Sequence, residues 1–201
     1  MAETAKINID DTVLVRQCQR GDSAAMERLI LKYQNRIYNT IMKMCGNSDD
    51  ASELTQDTFV KIIESIDRFE GKSSFYTWAF RIAVNLTINY RKRSSRLERQ
   101  SLDVEQDAGH LQAKERLKNI LADSSMPDPA AVAADRELCE VIMQSLMKLD
   151  DQQRAVVILR DIEGMNYAQI AEALDTELGT VKSRLSRARN NLREIMEAIL
   201  Q

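Results

Sequence analysis

The sequence has 201 residues, of which 44% are hydrophobic and 5% aromatic, with 28 basic against 31 acidic side chains. This supports a buried core in one large or two small domains, and two prolines with few aromatics argue against a turn-rich β-sandwich or barrel. One histidine (His110), three well-separated cysteines and no apolar run of the ~20 residues that a membrane helix needs exclude histidine triads, multi-histidine metal sites, Cys-x-x-Cys motifs and a membrane span. The polar, acidic start MAETAKINIDD is not the pattern of a secretory signal. Cys18, Cys45 and Cys139 lie beside apolar residues in helical patterns, which fits buried free thiols in a reducing, cytoplasmic compartment.

In chain order, nearly everything reads as helix. Asp11 is placed to cap a short helix to about Gln19, and Gly21-Asp22 separates it from the next. From Ser23 to Cys45, Met26, Ile30, Tyr33, Ile37, Ile41 and Met44 recur every three or four residues, one helical stripe. Gly46-Asn47 stops it. A third helix spans about Asp49 to Ile66, with Leu54, Phe59, Ile62, Ile63 and Ile66 inward. After a loop from Arg68 to Ser74, a fourth helix runs from about Phe75 to Arg93. Its inward face is Ala79, Ile82, Ala83, Leu86 and Tyr90; its outward face is Arg81, Asn85, Asn89 and Lys92.

Ser94 to Ala134 carries both prolines, scattered acids (Asp103, Glu105, Asp107, Asp123, Asp128) and weak periodicity, and reads as an interdomain linker. Leu111 to Leu121 forms one helical pattern inside it. Beyond it, Leu138, Val141, Ile142, Leu146 and Leu149 face inward on a helix from about Asp135 to Leu149. Asp150-x-x-Gln153 is a capping-box pattern for a helix to about Ile162, which Gly164 ends. A short helix, Tyr167 to Leu174, and a long one from about Thr180 to Ile199 complete the chain. The fold class is therefore all-α, with two small helical domains, 10–98 and 135–201, joined by an acidic linker, 99–134.

Charge is distributed unevenly. Arg81, Arg91, Lys92, Arg93, Arg96 and Arg99 face only Glu98, and Lys182, Arg184, Arg187, Arg189 and Arg193 face no acid at all. These are two separate cationic footprints on a chain of net charge −3. The second sits on a helix-turn-helix pattern. Tyr167, Ile170, Ala171 and Leu174 form one face, Asp175 to Gly179 the turn, and Val181, Leu185, Ala188 and Leu192 the buried side of the second helix. Small Ala171 is expected to let the helices approach. Thr180, Lys182, Ser183, Arg184, Ser186 and Arg187 then project hydroxyls and cations, the chemistry that contacts bases and phosphates in a major groove. A packing unit with a solvated basic face is the competing reading. In the first footprint, two asparagines on an exposed helix face among basic residues suit polar readout of a strand. Trp78 is expected to pack in the core, whereas Phe75 or Tyr76 could stack on a base.

The runs Leu149–Ala171 (LDDQQRAVVILRDIEGMNYAQIA) and Gly179–Arg189 (GTVKSRLSRAR) resemble region 4 of bacterial RNA polymerase sigma factors, most of all the extracytoplasmic-function (ECF) group. Asp150 stands where proline is usual and Asp175 where glycine is usual; the first can N-cap, the second tolerates left-handed backbone. The run Arg68–Asn85 (RFEGKSSFYTWAFRIAVN) is similar to regions 2.3 and 2.4, and Asp49–Phe59 to region 2.2. The resemblance implies a dissociable subunit that gives core RNA polymerase its promoter choice, without a cofactor, metal, catalytic residue or small-molecule substrate of its own. It implies minus-35 recognition by the basic helix of the second domain. It implies minus-10 recognition and base capture by Lys72, Ser73, Tyr76, Arg81, Asn85, Asn89 and Lys92. It implies docking of Glu53, Gln56 and Asp57 on the β′ clamp, a further contact with the β flap, and control by an anti-sigma factor, with no insertion into a membrane. A dimeric helix-turn-helix repressor or activator is the alternative, and would bind a palindrome without polymerase.

Overall fold

The computed structural model describes residues 10–100 and 132–200, with side chains omitted at 97–100, 132–139 and 200. The acidic side chains of the linker, His110, the Leu111–Leu121 pattern and both prolines lie outside these residues, as do the side chains of Leu138 and Cys139.

Eight helices and two tighter or looser turns make up the described residues. The helices are α1 (Asp11–Cys18), α2 (Ser23–Cys45), α3 (Ser48–Ser65), α4 (Phe75–Gln100), α5 (Val132–Lys148), α6 (Asp151–Val157), α7 (Tyr167–Ala173) and α8 (Leu178–Leu200). A 3₁₀ turn, Ile66–Arg68, closes α3, and a π turn, Ile158–Ile162, extends α6. Local chemistry explains the boundaries. Asp22 accepts from the amides of Ala24 and Ala25, and Asn47 from those of Asp49 and Asp50, so each satisfies donors left open at a helix start. Gly46 ends α2 in the left-handed region, at φ 78°. A β-carbon there would also fall 2.7 Å from Met147 Sδ, because α5 passes directly above.

Several expectations need correcting. Asp10, rather than Asp11, caps α1; Asp11 instead binds Lys32 and Tyr33 on α2 and so pins α1 down. Asp150 does cap α6, but Gln153 does not complete the box, since its side chain accepts from Asn191 of α8. A complete box occurs instead at Asn166 and Gln169, opening α7. Ile63 is exposed rather than inward. The fully buried small residue of α7 is Ala173, with Ala171 only half-buried. Helix α4 runs seven residues past Arg93 and α5 begins three before Asp135, because neither 94–100 nor 132–134 holds a proline or glycine to break a helix.

Helices α1 to α4 form the first packing unit and α5 to α8 the second. Ile30, Tyr33, Ile37, Ile41 and Met44 of α2 are buried as its stripe demands, with Met26 half-buried. On α4 the buried set is Phe80, Ala83, Val84, Thr87 and Ile88 as well as Ala79, while Ile82, Leu86 and Tyr90 are half-buried. The buried arc is broad because α2 and α3 cover one side of α4 and α7 lies against the other. The apolar core is thus continuous across the two units.

Candidate nucleic-acid interface

The helix-turn-helix is α7, the turn and α8. Ile170 and Ala173 from α7 meet Val181, Leu185 and Ala188 from α8 in a sealed core. Asp175 in the turn has φ 49°, the one non-glycine residue with positive φ among the described residues. An aspartate adopts this backbone at lower cost than most side chains. With its inner face buried, α8 leaves Lys182, Ser183, Ser186 and Arg187 exposed and Thr180 and Arg184 half-buried. The guanidinium of Arg184 donates to Gln152 Oε1 at 2.8 Å, which ties it to α6. Arg187 donates to the carbonyl of Ser183 at 3.3 Å and otherwise stands free to turn outward. Arg189 is bound by Asp161, which lifts its pKa further above the ordinary arginine range.

The second surface is the N-terminal half of α4 and the loop before it. Gly71 takes φ 70°, which turns the chain sharply between Phe69 and Phe75. Gln19 of α1 donates to the carbonyls of Ile66 and Phe69, at 3.0 and 2.9 Å, and so fixes the loop against α1. Between them lies a cavity of about 400 Å³ lined by Asp11, Arg16, Gln19, Phe69, Ser73 and Phe75, among others. Ser73 of the sequence-derived set lines it; Lys72 is exposed beside it and binds Glu70. Asn85, Asn89 and Lys92 are exposed along α4, and Arg81 is half-buried. Trp78 packs on Phe69, ring centroids 4.9 Å apart, and Phe75 is buried beside both.

Tyr76 is placed differently from its neighbours. Its ring rests on Phe80 at 4.5 Å, and its hydroxyl donates to Glu163 Oε2 at 3.0 Å. Burial and the Glu163 carboxylate both push its pKa well above the ordinary tyrosine value. Arg36 and Thr40 of α2 join the same cluster. Sequence reading passed over Arg36, Thr40 and Glu163. Arg36 and Thr40 lie more than a hundred residues from Glu163, so no local spacing marks them.

On α3, Glu53 is exposed and Gln56 and Asp57 half-buried. Asp57 borders a shallow groove with Val60, Lys61, Glu64 and Leu86, next to exposed Ile63. Among the described residues no helix is long and apolar enough to cross a membrane, and no group of histidine, cysteine and carboxylate side chains could hold a metal.

Residues 29–97 match the family model described as Sigma-70 region 2, and residues 139–192 match Sigma-70, region 4. The chain is 31% identical over 191 residues to the RNA polymerase sigma-H factor of Pseudomonas aeruginosa, covering 95% of this chain and 96% of that one. It is 30% identical over 194 residues to the ECF RNA polymerase sigma-E factor of Salmonella typhimurium, covering 96% and 97%. A similar fold occurs in the sigma factor RpoE of Bartonella quintana, solved in complex with the anti-sigma factor NepR. There the TM-score is 0.62 at 24% identity, over 85% of this chain and 95% of that one. Sigma factors are transcription regulators rather than catalysts. The two region matches fall on the units carrying the two cationic surfaces, and the relatives align over nearly their full length: the chain belongs to the ECF group of RNA polymerase sigma factors, the subunits that direct polymerase to promoters.

Proposed function

We propose that this sigma factor reads its promoter through the two surfaces described above, acting as units 10–98 and 135–201 joined by residues 99–134. Thr180, Lys182, Ser183, Arg184, Ser186 and Arg187 read the minus-35 element in the major groove. Lys72, Ser73, Tyr76, Arg81, Asn85, Asn89 and Lys92 hold the melted minus-10 strand. Glu53, Gln56 and Asp57 dock on the β′ clamp of the polymerase, and the second unit contacts the β flap. The observation that carries this reading is the α8 surface: four exposed polar or cationic side chains, Lys182, Ser183, Ser186 and Arg187, crowd its first turns while its inner face is sealed. Two weak footprints on one chain act together only when polymerase fixes their spacing, so free protein is expected to bind promoter duplex poorly.

Two substitutions test the map in run-off transcription with core polymerase on a set of minus-35 and minus-10 variants. Arg187→Ala costs about 1–3 kcal/mol at one minus-35 base pair if the contact is a bidentate base contact. An equal loss on every template assigns Arg187 to a phosphate instead. Asn85→Ala impairs use of the minus-10 element with polymerase binding unchanged; a loss of polymerase binding overturns that role. The anti-sigma complex of the structural neighbour supports control of this chain by an anti-sigma factor. We also place its action in the bacterial cytoplasm, where polymerase is found.

A further inference from the structure

The cluster around Glu163 lies between the two units and shares only Tyr76 with the proposed minus-10 surface. The Glu163 side chain is only 6% exposed, and both of its oxygens are used. Oε2 accepts from Arg36 Nη2 at 2.9 Å, from Arg36 Nε at 3.2 Å and from Tyr76 Oη at 3.0 Å. Oε1 accepts from Thr40 Oγ1 at 2.9 Å. The Arg36 guanidinium also lies 4.6 Å over the Tyr76 ring and donates to its hydroxyl at 3.0 Å. Every donor comes from the N-terminal unit, and the carboxylate comes from the C-terminal one.

A guanidinium fork and two hydroxyls converging on a pair of oxygens form a receptor for an oxyanion. A phosphodiester presents the same pair of charged oxygens. An arginine stacked on a tyrosine is also the arrangement that holds a nucleotide strand, with charge for the backbone and a π-face for a base. Tyr76 already belongs to the proposed minus-10 surface. We propose that Arg36, Thr40 and Tyr76 form a binding site for a backbone phosphate of the melted promoter strand, and that Glu163 fills this site in the free chain. DNA and Glu163 then compete for one set of donors. The apparent affinity of free protein for the strand is then scaled down by the small fraction of molecules in which Glu163 has withdrawn.

This inference rests on the minus-10 reading above, and the experiment separates the two. Full-length protein is titrated against a fluorescein-labelled single-stranded oligonucleotide carrying the minus-10 sequence of a promoter defined by start-site mapping, at several salt concentrations. Glu163→Ala tightens binding about tenfold, the scale of one charge-assisted hydrogen-bond set. Arg36→Ala in that background returns affinity to the wild-type level or below, and lowers the salt slope by about 0.7, one phosphate on a single strand. Glu163→Gln keeps the shape, sheds the charge and gives a smaller gain in the same direction; it serves if circular dichroism shows the alanine variant misfolded. Affinity within twofold of wild type for both Glu163 variants overturns the proposal, as does a gain that Arg36→Ala leaves intact. Run-off transcription by Asn85→Ala from the same promoter reports the minus-10 reading on its own. RNA from Asn85→Ala at the wild-type level sinks both, whereas impaired RNA from Asn85→Ala alongside unchanged oligonucleotide affinity in the Glu163 variants sinks the competition by Glu163 alone.

Discussion

Arg154 is the largest side chain fully withdrawn from solvent among the described residues, at 1% exposure. It donates to the carbonyls of Leu146, Met147 and Leu149 at 2.7, 3.0 and 2.7 Å, and across the unit boundary to that of Met44 at 2.7 Å. These carbonyls sit at or just past the C-terminal ends of α5 and α2, where helix geometry leaves acceptors open and a cation is favoured, although the Leu146 carbonyl also takes the Leu149 amide at 3.1 Å. Burial draws the Arg154 pKa down, yet an arginine keeps its proton and a lysine could not reach four acceptors at once. Arg154→Ala is expected to cost about 3 kcal/mol or more, since each buried carbonyl left unpaired costs about 1–3 kcal/mol; urea denaturation measures it. Arg154→Lys should recover only part of that loss. Three tyrosines make a second prediction at this scale. Tyr90 donates to Asp50 at 2.7 Å, and this bond raises its pKa from near 10 to about 12; burial raises those of Tyr33 and Tyr76 further still. Because the folded values lie above the unfolded ones, the stability they lend is complete below pH ~10 and is lost as pH climbs through ~12 and beyond. An alkaline titration followed by tyrosinate absorbance and circular dichroism should show late ionisation coinciding with unfolding. Full ionisation near pH 10 with the fold intact contradicts it. In the sequence Arg154 stands only as the last residue of a polar run, Asp150–Arg154, ahead of the apolar Ala155–Leu159. Its partners are carbonyls, which no residue pattern reports.

Among the elements, the α2 stripe was legible because one face of that helix is buried along its whole length and the other is wet. The same logic missed Ile63, which α3 leaves at its outer edge, and narrowed the buried arc of α4, which is packed from two sides. Periodicity reports a single buried face well and a two-sided one poorly. The helix-turn-helix was legible in its pattern, including the tolerance of Asp175 for its turn. There the backbone makes its own prediction. Asp175→Val places a β-branched side chain at φ 49° and should lose about 1–2 kcal/mol, while Asp175→Gly should stay within about 1 kcal/mol of wild type, the gain in backbone freedom offset by the more flexible unfolded chain. Thermal denaturation of both variants distinguishes them. Equal losses would mean that the turn depends on the carboxylate rather than on its φ.

At the scale of the whole molecule, the sequence separates two cationic units but does not show that they lie against each other. Arg91 on α4 binds Asp151 of α6 at 2.6 Å, Arg154 reaches Met44, Gly46 lets Met147 approach, and Arg36, Thr40 and Tyr76 hold Glu163. Each pairing spans tens of residues or more than a hundred, beyond the reach of local pattern. The arrangement gives a reason why a subunit with two proposed DNA-reading surfaces is expected to be a poor DNA binder by itself. The α7 helix covers one flank of α4, and Glu163 engages Tyr76 of the proposed minus-10 surface. Promoter choice is therefore expected to emerge only on polymerase, which must hold the two units apart at the spacing of the two promoter elements. The direct measurement is run-off transcription with purified core RNA polymerase on genomic fragments, with and without this chain. The account predicts RNA from discrete start sites that depends on the added protein. A chain that binds the polymerase but yields no such RNA, or that binds promoter duplex tightly by itself, contradicts it.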